Sequence, residues 1–266
     1  MIKLIVAGAC GKMARQIMTL AAQDRDFKIA GAFEAESHPE VGKSLGNILG
    51  IPSLSIPVSA SLKEVIEKGD ILIDFTHRDA TPLHVKLCRS HKKGMVIGTT
   101  GLSDAALRDI KTASEVIPVV QSPNMSAGVN LLFKLVELVS STLSDDYDIE
   151  IVESHHRHKK DAPSGTALEL ARRAAQGRKV KLTDMAVYGR QGLTGERKRG
   201  TIGIHALRGG DVVGDHTVSF LSDGERIELV HKASSREAFA QGALLAAKFV
   251  SKKKSGLFTM QDVLGL

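Results

Sequence analysis

The stretch "IKLIVAGACGKMARQIMTLAAQD" at 2–24 decides the architecture. Its opening, "IKLIVAGA", is apolar apart from one lysine, as a strand buried on both faces would be. From Gly11 onward the apolar residues fall at helical spacing. Between the two lies "GACGKMA" at 8–14. Gly8 permits a tight turn, Gly11 lets a phosphate approach the backbone, and the small Ala14 allows close helix–strand packing. The spacing is a variant of the dinucleotide fingerprint and not its strict form, so the turn alone could be purely structural. Glu34 strengthens the cofactor alternative. It ends the second strand, where an acid grips the ribose hydroxyls of an adenosine.

Further along, the same alternation continues. Helix "SLKEVIEKG" precedes strand "DILIDFT", helix "DATPLHVKLCRSHKK" precedes "MVIGTT", and helix "SDAALRDIKTASE" precedes "VIPVVQS". Apolar strands separated by amphipathic helices predict an α/β fold with a doubly wound parallel sheet. Thr76 and His77, "GTTG" at 98–101 and "SPNMS" at 122–126 all follow strands on one sheet edge. Each could be a simple helix cap. Together they favour a ligand crevice beyond the carboxyl ends of the strands.

The pattern changes near residue 125. A long helix, "SAGVNLLFKLVELVSSTL", leads to strand "DYDIEIVES" and a helix, "GTALELARRAAQ". Three closely spaced strands follow, "TIGIHALRGG", "DHTVSFLSDG" and "ERIELVHKAS". Their glycine-containing turns predict antiparallel pairing. A smaller α+β domain with a mixed sheet is expected here, closed by a last helix that ends the ordered pattern.

Composition narrows the function classes. No apolar run is long enough to cross a bilayer, and the first strand lacks a cleavage site, so a cytoplasmic protein is expected. Cys10 and Cys88 are the only cysteines, too few for a disulfide framework or a structural zinc site. The net charge is +6, but no nucleic-acid motif accompanies it, and an anionic small ligand suits it equally. Lys252–Lys254 fits a solvated helix end.

The densest chemistry is "ESHHRHKKDAPSGTALEL" at 153–170. Pro163 followed by Ser164 signals a helix start with Ser164 as N-cap. The N–H groups of Gly165 and Thr166 then make an anion site, and His156 and Lys159 lie just upstream. Zinc binding by His155, His156 and His158 is disfavoured, because the spacing matches no common zinc motif and the surroundings are cationic. Surface histidines or a phosphate site are further alternatives. A general-acid histidine and a lysine beside a carboxylate-binding helix end is favoured.

That block resembles the signature of the 4-hydroxy-tetrahydrodipicolinate reductases, or dihydrodipicolinate reductases, of lysine and diaminopimelate synthesis. "AGACGKMARQ", "IDFT", "GMVIGTTG", "NMSAGVN", "YGRQGLTGER", "GDVVGDHTV", "HKASSR" and "SGLFTMQDVL" extend the resemblance over nearly the whole chain. It implies a Rossmann-like dinucleotide-binding domain over 1–126 and 237–266, and a substrate-binding and oligomerisation domain over 127–236. It also implies reduction of a cyclic dicarboxylate by NADH or NADPH without a metal, in a homotetramer, with no nucleic-acid or membrane partner. His155 and Lys159 match catalytic positions; His156, Ser164, Gly165, Thr166 and Arg236 match substrate contacts. Gly8, Ala9, Cys10, Gly11, Lys12, Met13, Glu34, Thr76, His77, Gly98, Thr99, Thr100, Ser122, Pro123, Asn124 and Met125 match cofactor-binding segments.

Some positions depart from relatives. Ala35 stands where many have an arginine for the 2′-phosphate of NADPH, Lys12 where arginine is common, and His77 where some have arginine. An NADH lean follows. Two rivals fit less well. A phosphorylating semialdehyde dehydrogenase needs a nucleophilic cysteine in the second half, and a dinucleotide-sensing regulator has no use for His155 and Lys159.

Overall fold

The computed structural model describes residues 1–266, which divide into two units, Met1–Ala127 with Glu237–Leu266, and Gly128–Arg236.

In the first unit, β1 (Ile2–Ala7), β2 (Phe27–Phe33), β3 (Val58–Ser59), β4 (Ile71–Asp74), β5 (Gly94–Ile97), β6 (Pro118–Gln121) and β12 (Gly256–Phe258) form one sheet. Its order is β12-β6-β5-β4-β1-β2-β3, and every pairing is parallel. The continuous apolar strands are explained by two cores. Leu4, Val6, Ile71 and Ile73 pack on one face with α1 (Lys12–Gln23) and α8 (Glu237–Val250). Ile5, Ala7 and Leu72 pack on the other with α3 (Thr81–Ser90) and α4 (Asp104–Ser114). Alternate residues of one strand thus serve opposite faces, and both faces are packed with apolar side chains.

In the second unit, α5 (Ala127–Thr142) and α6 (Gly165–Gly177) cover one face of a sheet made by β7 (Asp148–His155), β8 (Ala186–Tyr188), β9 (Ile202–Arg208), β10 (Gly214–Ser222) and β11 (Glu225–Ala233). The order is β11-β10-β7-β9-β8. Ile149, Ile151, Val218 and Phe220 meet Leu170 and Ala174 of α6 in its core.

Three expectations are corrected. The helix expected over "SLKEVIEKG" is two short 3₁₀ turns, Leu62–Glu64 and Ile66–Lys68. Leu62, Val65 and Ile66 are all buried there, and a segment this short gains little from helix propagation. The three clustered strands are not antiparallel throughout. β10 and β11 form an antiparallel hairpin, but β9 pairs parallel with β7 and β8. β7 lies between β9 and β10, since a central position buries its Ile149 and Ile151. Ordered structure also continues beyond the last expected helix. β12 extends the parallel sheet, and α9 (Met260–Leu264) begins with a Thr259–Asp262 capping box. The chain between the expected elements adds α2 (Leu45–Leu49) and α7 (Leu182–Met185).

Candidate active site

In the first unit the turn after β1 has the geometry its glycines allow. Gly8 adopts φ +64° and its carbonyl accepts the Gly11 N–H at 2.8 Å. A Cβ at Gly8 would lie 3.0 Å from Thr76, and one at Gly11 would lie 3.1 Å from the Gly8 carbonyl. Gly11 N-caps α1 without a side chain, so no side-chain oxygen fills the helix end. Glu34 follows β2, and its Oε2 accepts the Cys10 N–H at 3.1 Å while Oε1 accepts the Ala35 N–H at 3.0 Å. Burial, then Glu34, pushes the Cys10 thiol pKa up.

Beside this turn is a cavity of about 560 Å³, lined by Gly8, Phe33, Glu34, Ala35, Thr76 and His77 among others. Its size and mixed lining suit a ring and a sugar. Thr76 is fixed by Asp74, whose Oδ1 accepts its N–H at 2.9 Å and its Oγ1–H at 2.6 Å. The Thr99 hydroxyl joins them, 3.2 Å from the same oxygen. Gly98 donates to the Asp74 carbonyl, and Ser122 donates to the Ile97 carbonyl and, through its hydroxyl, to Asn124. The strand-end positions therefore form a hydrogen-bonded edge. His77 is exposed, 3.2 Å from Asp79. Lys12 is exposed and Met13 half-buried, whereas Met125 is buried in the core.

In the second unit, β7 ends at His155. Glu153, fully buried two residues earlier, accepts from His155 Nδ1 at 2.5 Å, from the Ser164 N–H at 2.9 Å and from both Arg208 terminal nitrogens at 2.7 and 2.8 Å. Burial alone would raise the Glu153 pKa, but the Arg208, His155 and Ser164 hydrogen bonds outweigh it and hold the group below the usual carboxylate range. An ionised carboxylate only accepts, so His155 Nδ1 carries a proton and Nε2 is the edge left for chemistry. Burial lowers the His155 pKa, with Lys159 and Arg208 adding to it against the opposing pull of Glu153. A Cβ at Gly214 would come within 3.0 Å of Nε2, so only a glycine keeps that edge clear.

Ser164 N-caps α6 by accepting the Ala167 N–H at 3.1 Å, as the Pro-Ser pair predicts, and its hydroxyl shares a 3.1 Å hydrogen bond with His216 Nε2. Gly165 and Thr166 open α6, so the positive end of the helix lies beside Glu153 and His155. The 155–159 loop is pinned by His156 N–H to the Val212 carbonyl at 2.7 Å and Arg157 N–H to Gly210 at 3.2 Å. Lys159 Nζ lies 2.9 Å from Asp161. Arg236 lies in the turn after β11, three residues beyond Ala233, which pairs with Gly214. The structure thus brings His155, Ser164 and Gly165 together at one helix end, with Lys159 close enough to act on the His155 ring.

Residues 2–125 match the family described as dihydrodipicolinate reductase, N-terminus, and residues 128–264 match dihydrodipicolinate reductase, C-terminus. The chain belongs to the dihydrodipicolinate reductase family. Among its relatives, the 4-hydroxy-tetrahydrodipicolinate reductase of Syntrophus aciditrophicus is 46% identical over 265 residues, covering 100% of this chain and 99% of that one. That of Laribacter hongkongensis is 48% identical, covering 100% and 98%. A dipicolinate-bound dihydrodipicolinate reductase from Paenisporosarcina sp. TG-14 superposes with a TM-score of 0.77 at 27% identity, covering 98% of each chain. GenD2 in complex with NAD shares the fold at TM-score 0.62 and 11% identity, covering 99% of this chain and 90% of its own.

For a dihydrodipicolinate reductase chain, sequence reasoning missed Glu153, Arg208 and His216. The alternation of β7 carried a signal, because Glu153 falls on the same face as the buried Ile149 and Ile151. Arg208 and His216 carried none, since β9 and β10 meet β7 only through the sheet. The basic segment after Tyr188 is also partly neutralised. Arg190, Arg197 and His205 all contact Glu150, which they hold near a pKa of about 2 although burial alone would raise it.

Proposed function

We propose that this chain is an oxidoreductase that uses NADH or NADPH to reduce 4-hydroxy-tetrahydrodipicolinate to tetrahydrodipicolinate, in lysine and diaminopimelate synthesis. The observation that carries the proposal is the His155 ring, locked by buried Glu153 beside the Ser164-capped end of α6. The cofactor residues are the turn 8–13, Glu34, Thr76 and His77, segment 98–100 and segment 122–125. The glycine-only turn and the cavity beside Glu34 support this assignment. The 4-hydroxyl and a C3 proton first leave as water, giving the conjugated dihydrodipicolinate ring, and a bound dihydronicotinamide would supply a hydride to its C4.

The remaining chemistry belongs to side chains. His156, Gly165 and Thr166 bind one substrate carboxylate at the positive end of α6, with Ser164 and Arg236 alongside. Lys159 exchanges Asp161 for the substrate and holds positive charge against it. The substrate dianion raises the depressed His155 pKa, and the His155–Lys159 pair delivers a proton to C3. The sheet face opposite α5 and α6, which includes exposed Leu207, is the surface proposed for homotetramer assembly. No helix is long and apolar enough to cross a membrane, and a cytoplasmic location belongs to the same proposal.

The test is cofactor oxidation with freshly condensed aspartate semialdehyde and pyruvate. Lys159→Ala is expected to reduce turnover by about 10²–10⁴-fold and to leave NADH affinity, measured by fluorescence titration, unchanged. No oxidation by the wild type would overturn the function, and near-normal turnover in the variant would remove Lys159 from the site. Light scattering checks the tetramer.

A further inference from the structure

Cys10 and Glu34, both assigned above to the dinucleotide crevice, converge with His38, a residue given no role there. One potential ligand atom from each, the Cys10 sulfur, a Glu34 carboxylate oxygen and a His38 ring nitrogen, lies within 4.8 Å of the others. All three residues are half-buried. Their placement is fixed by backbone and not by chance rotamers. The parallel register sets Ala7 against Phe33, and the Ala9 N–H donates to the Phe33 carbonyl at 3.0 Å, so Cys10 and Glu34 arrive side by side. The His38 N–H donates to the Ala35 carbonyl at 2.8 Å, which folds the 35–38 turn back over Glu34.

We infer that Cys10, Glu34 and His38 form a binding site for a borderline-soft divalent cation such as Zn²⁺, whose occupancy blocks the ribose end of the dinucleotide crevice. The donor set is sulfur, nitrogen and oxygen, which selects Zn²⁺ or Co²⁺ over Mg²⁺ or Ca²⁺. Tetrahedral coordination needs these donors roughly 3.3–3.6 Å apart, so the group closes by about an ångström and leaves the fourth position to water. Each Glu34 oxygen accepts a single hydrogen bond in the structure, leaving one lone pair for the metal. His38 Nδ1 accepts the Glu40 N–H at 3.2 Å, and coordination exchanges that bond for a metal–nitrogen bond. As the metal–sulfur bond forms, the thiol proton leaves to solvent, so one proton is released per ion.

The surrounding charge favours a cation. Glu34 and Glu40 both face the thiol. Of the two opposing cations, Lys43 is paired with Glu40 at 3.1 Å, and Arg15 Nε is directed to the Cys10 carbonyl at 3.0 Å. Competition with cofactor rests on the assignment of Glu34 to the adenosine ribose. An ion held by that carboxylate takes the oxygens the ribose hydroxyls need.

Co²⁺ is the spectroscopic probe, added to the reduced full chain, with Zn²⁺ as competitor. The expected result is a near-ultraviolet sulfur-to-cobalt band saturating at one equivalent. It is lost in Cys10→Ser, weakened at least tenfold in affinity in His38→Ala, and displaced by Zn²⁺. Zn²⁺ raises the KM for NADH with kcat unchanged. Mg²⁺ has no effect, and His38→Ala keeps the metal-free KM while losing Zn²⁺ sensitivity. A band that persists in both variants would place the metal elsewhere and overturn the site, as would no band at millimolar Co²⁺. A band lost in both variants yet indifferent to saturating NADH supports the metal site and counts against a ribose at Glu34.

Discussion

Two carboxylate–histidine pairs, one in each unit, are built alike. Asp74 and Glu153 are both fully buried, and each accepts from a histidine Nδ1, His84 at 2.8 Å and His155 at 2.5 Å. They differ in what else the carboxylate holds. Asp74 collects the Thr76 N–H and the hydroxyls of Thr76 and Thr99, all neutral groups of adjacent strand ends. His84 packs edge-on against Phe33 at 5.1 Å. Glu153 instead collects the Arg208 guanidinium and the first N–H of a helix end. Burial would raise both carboxyl pKa values, and in both the hydrogen bonds prevail and lower them. Beside Glu153 the histidine is also set among fixed cations, and burial, reinforced by Lys159 and Arg208, lowers the His155 pKa. The first pair fastens strand ends with neutral donors; the second stands among cations, the setting the proposed proton transfer requires.

The largest effect that would separate the two is on stability. Asp74→Asn removes the charge that satisfies four donors and is expected to cost about 3 kcal/mol in urea unfolding. The pH profile of kcat should not move. A displaced profile would mean that the first pair also serves the chemistry.

Next in size is Glu153→Gln, expected to reduce kcat by about 10²-fold. Removing the carboxylate takes away the influence that raises His155, so the limb of kcat/KM set by His155 protonation should shift to lower pH. A profile that stays in place would make Glu153 an anchor like Asp74.

His216 offers a smaller effect, on acid stability. Burial, then His155, lowers its folded pKa from 6.5 to about 4. As pH falls below about 6.5, the unfolded chain takes up the proton first, so stability declines from there until the folded pKa is passed. Between pH 7 and pH 5 this amounts to about 2 kcal/mol. His216→Gln, compared with wild type in urea at both pH values, should lose that much less. Equal acid losses would show that the ring takes up its proton without penalty.

The smallest effect is at Ala35, where the first unit has no counterpart to the cations around Glu153. Ala35→Arg is expected to raise kcat/KM with NADPH about tenfold, roughly 1.4 kcal/mol. Wild type should use NADH at least as well as NADPH. A wild-type preference for NADPH above about tenfold would show that Lys12 already supplies the missing charge.

Much of the first unit was legible because its determinants are local. A strand buried on both faces must be apolar throughout, a tight turn needs Gly8, and the capping serine at 164 precedes its helix directly. The 3₁₀ turns over 62–68 differ from the expected helix for a local reason as well, since the same apolar residues suit a helix or two separate turns.

The sequence by itself determined the strand–turn–helix opening, the parallel α/β sheet, the helix end at Ser164 and the concentration of histidines and lysines before it. Each is encoded over a few residues by spacing, glycine freedom or capping chemistry. Tertiary structure alone decided that β9 lies parallel beside β7, which brings Arg208 to Glu153 across 55 positions. It also brought His216 to Ser164, and Lys248 of α8 to Asp24 and Asp26. Such partners leave no mark in their own neighbourhoods. They are selected when the whole sheet closes, because a buried carboxylate must find donors wherever the chain can place them.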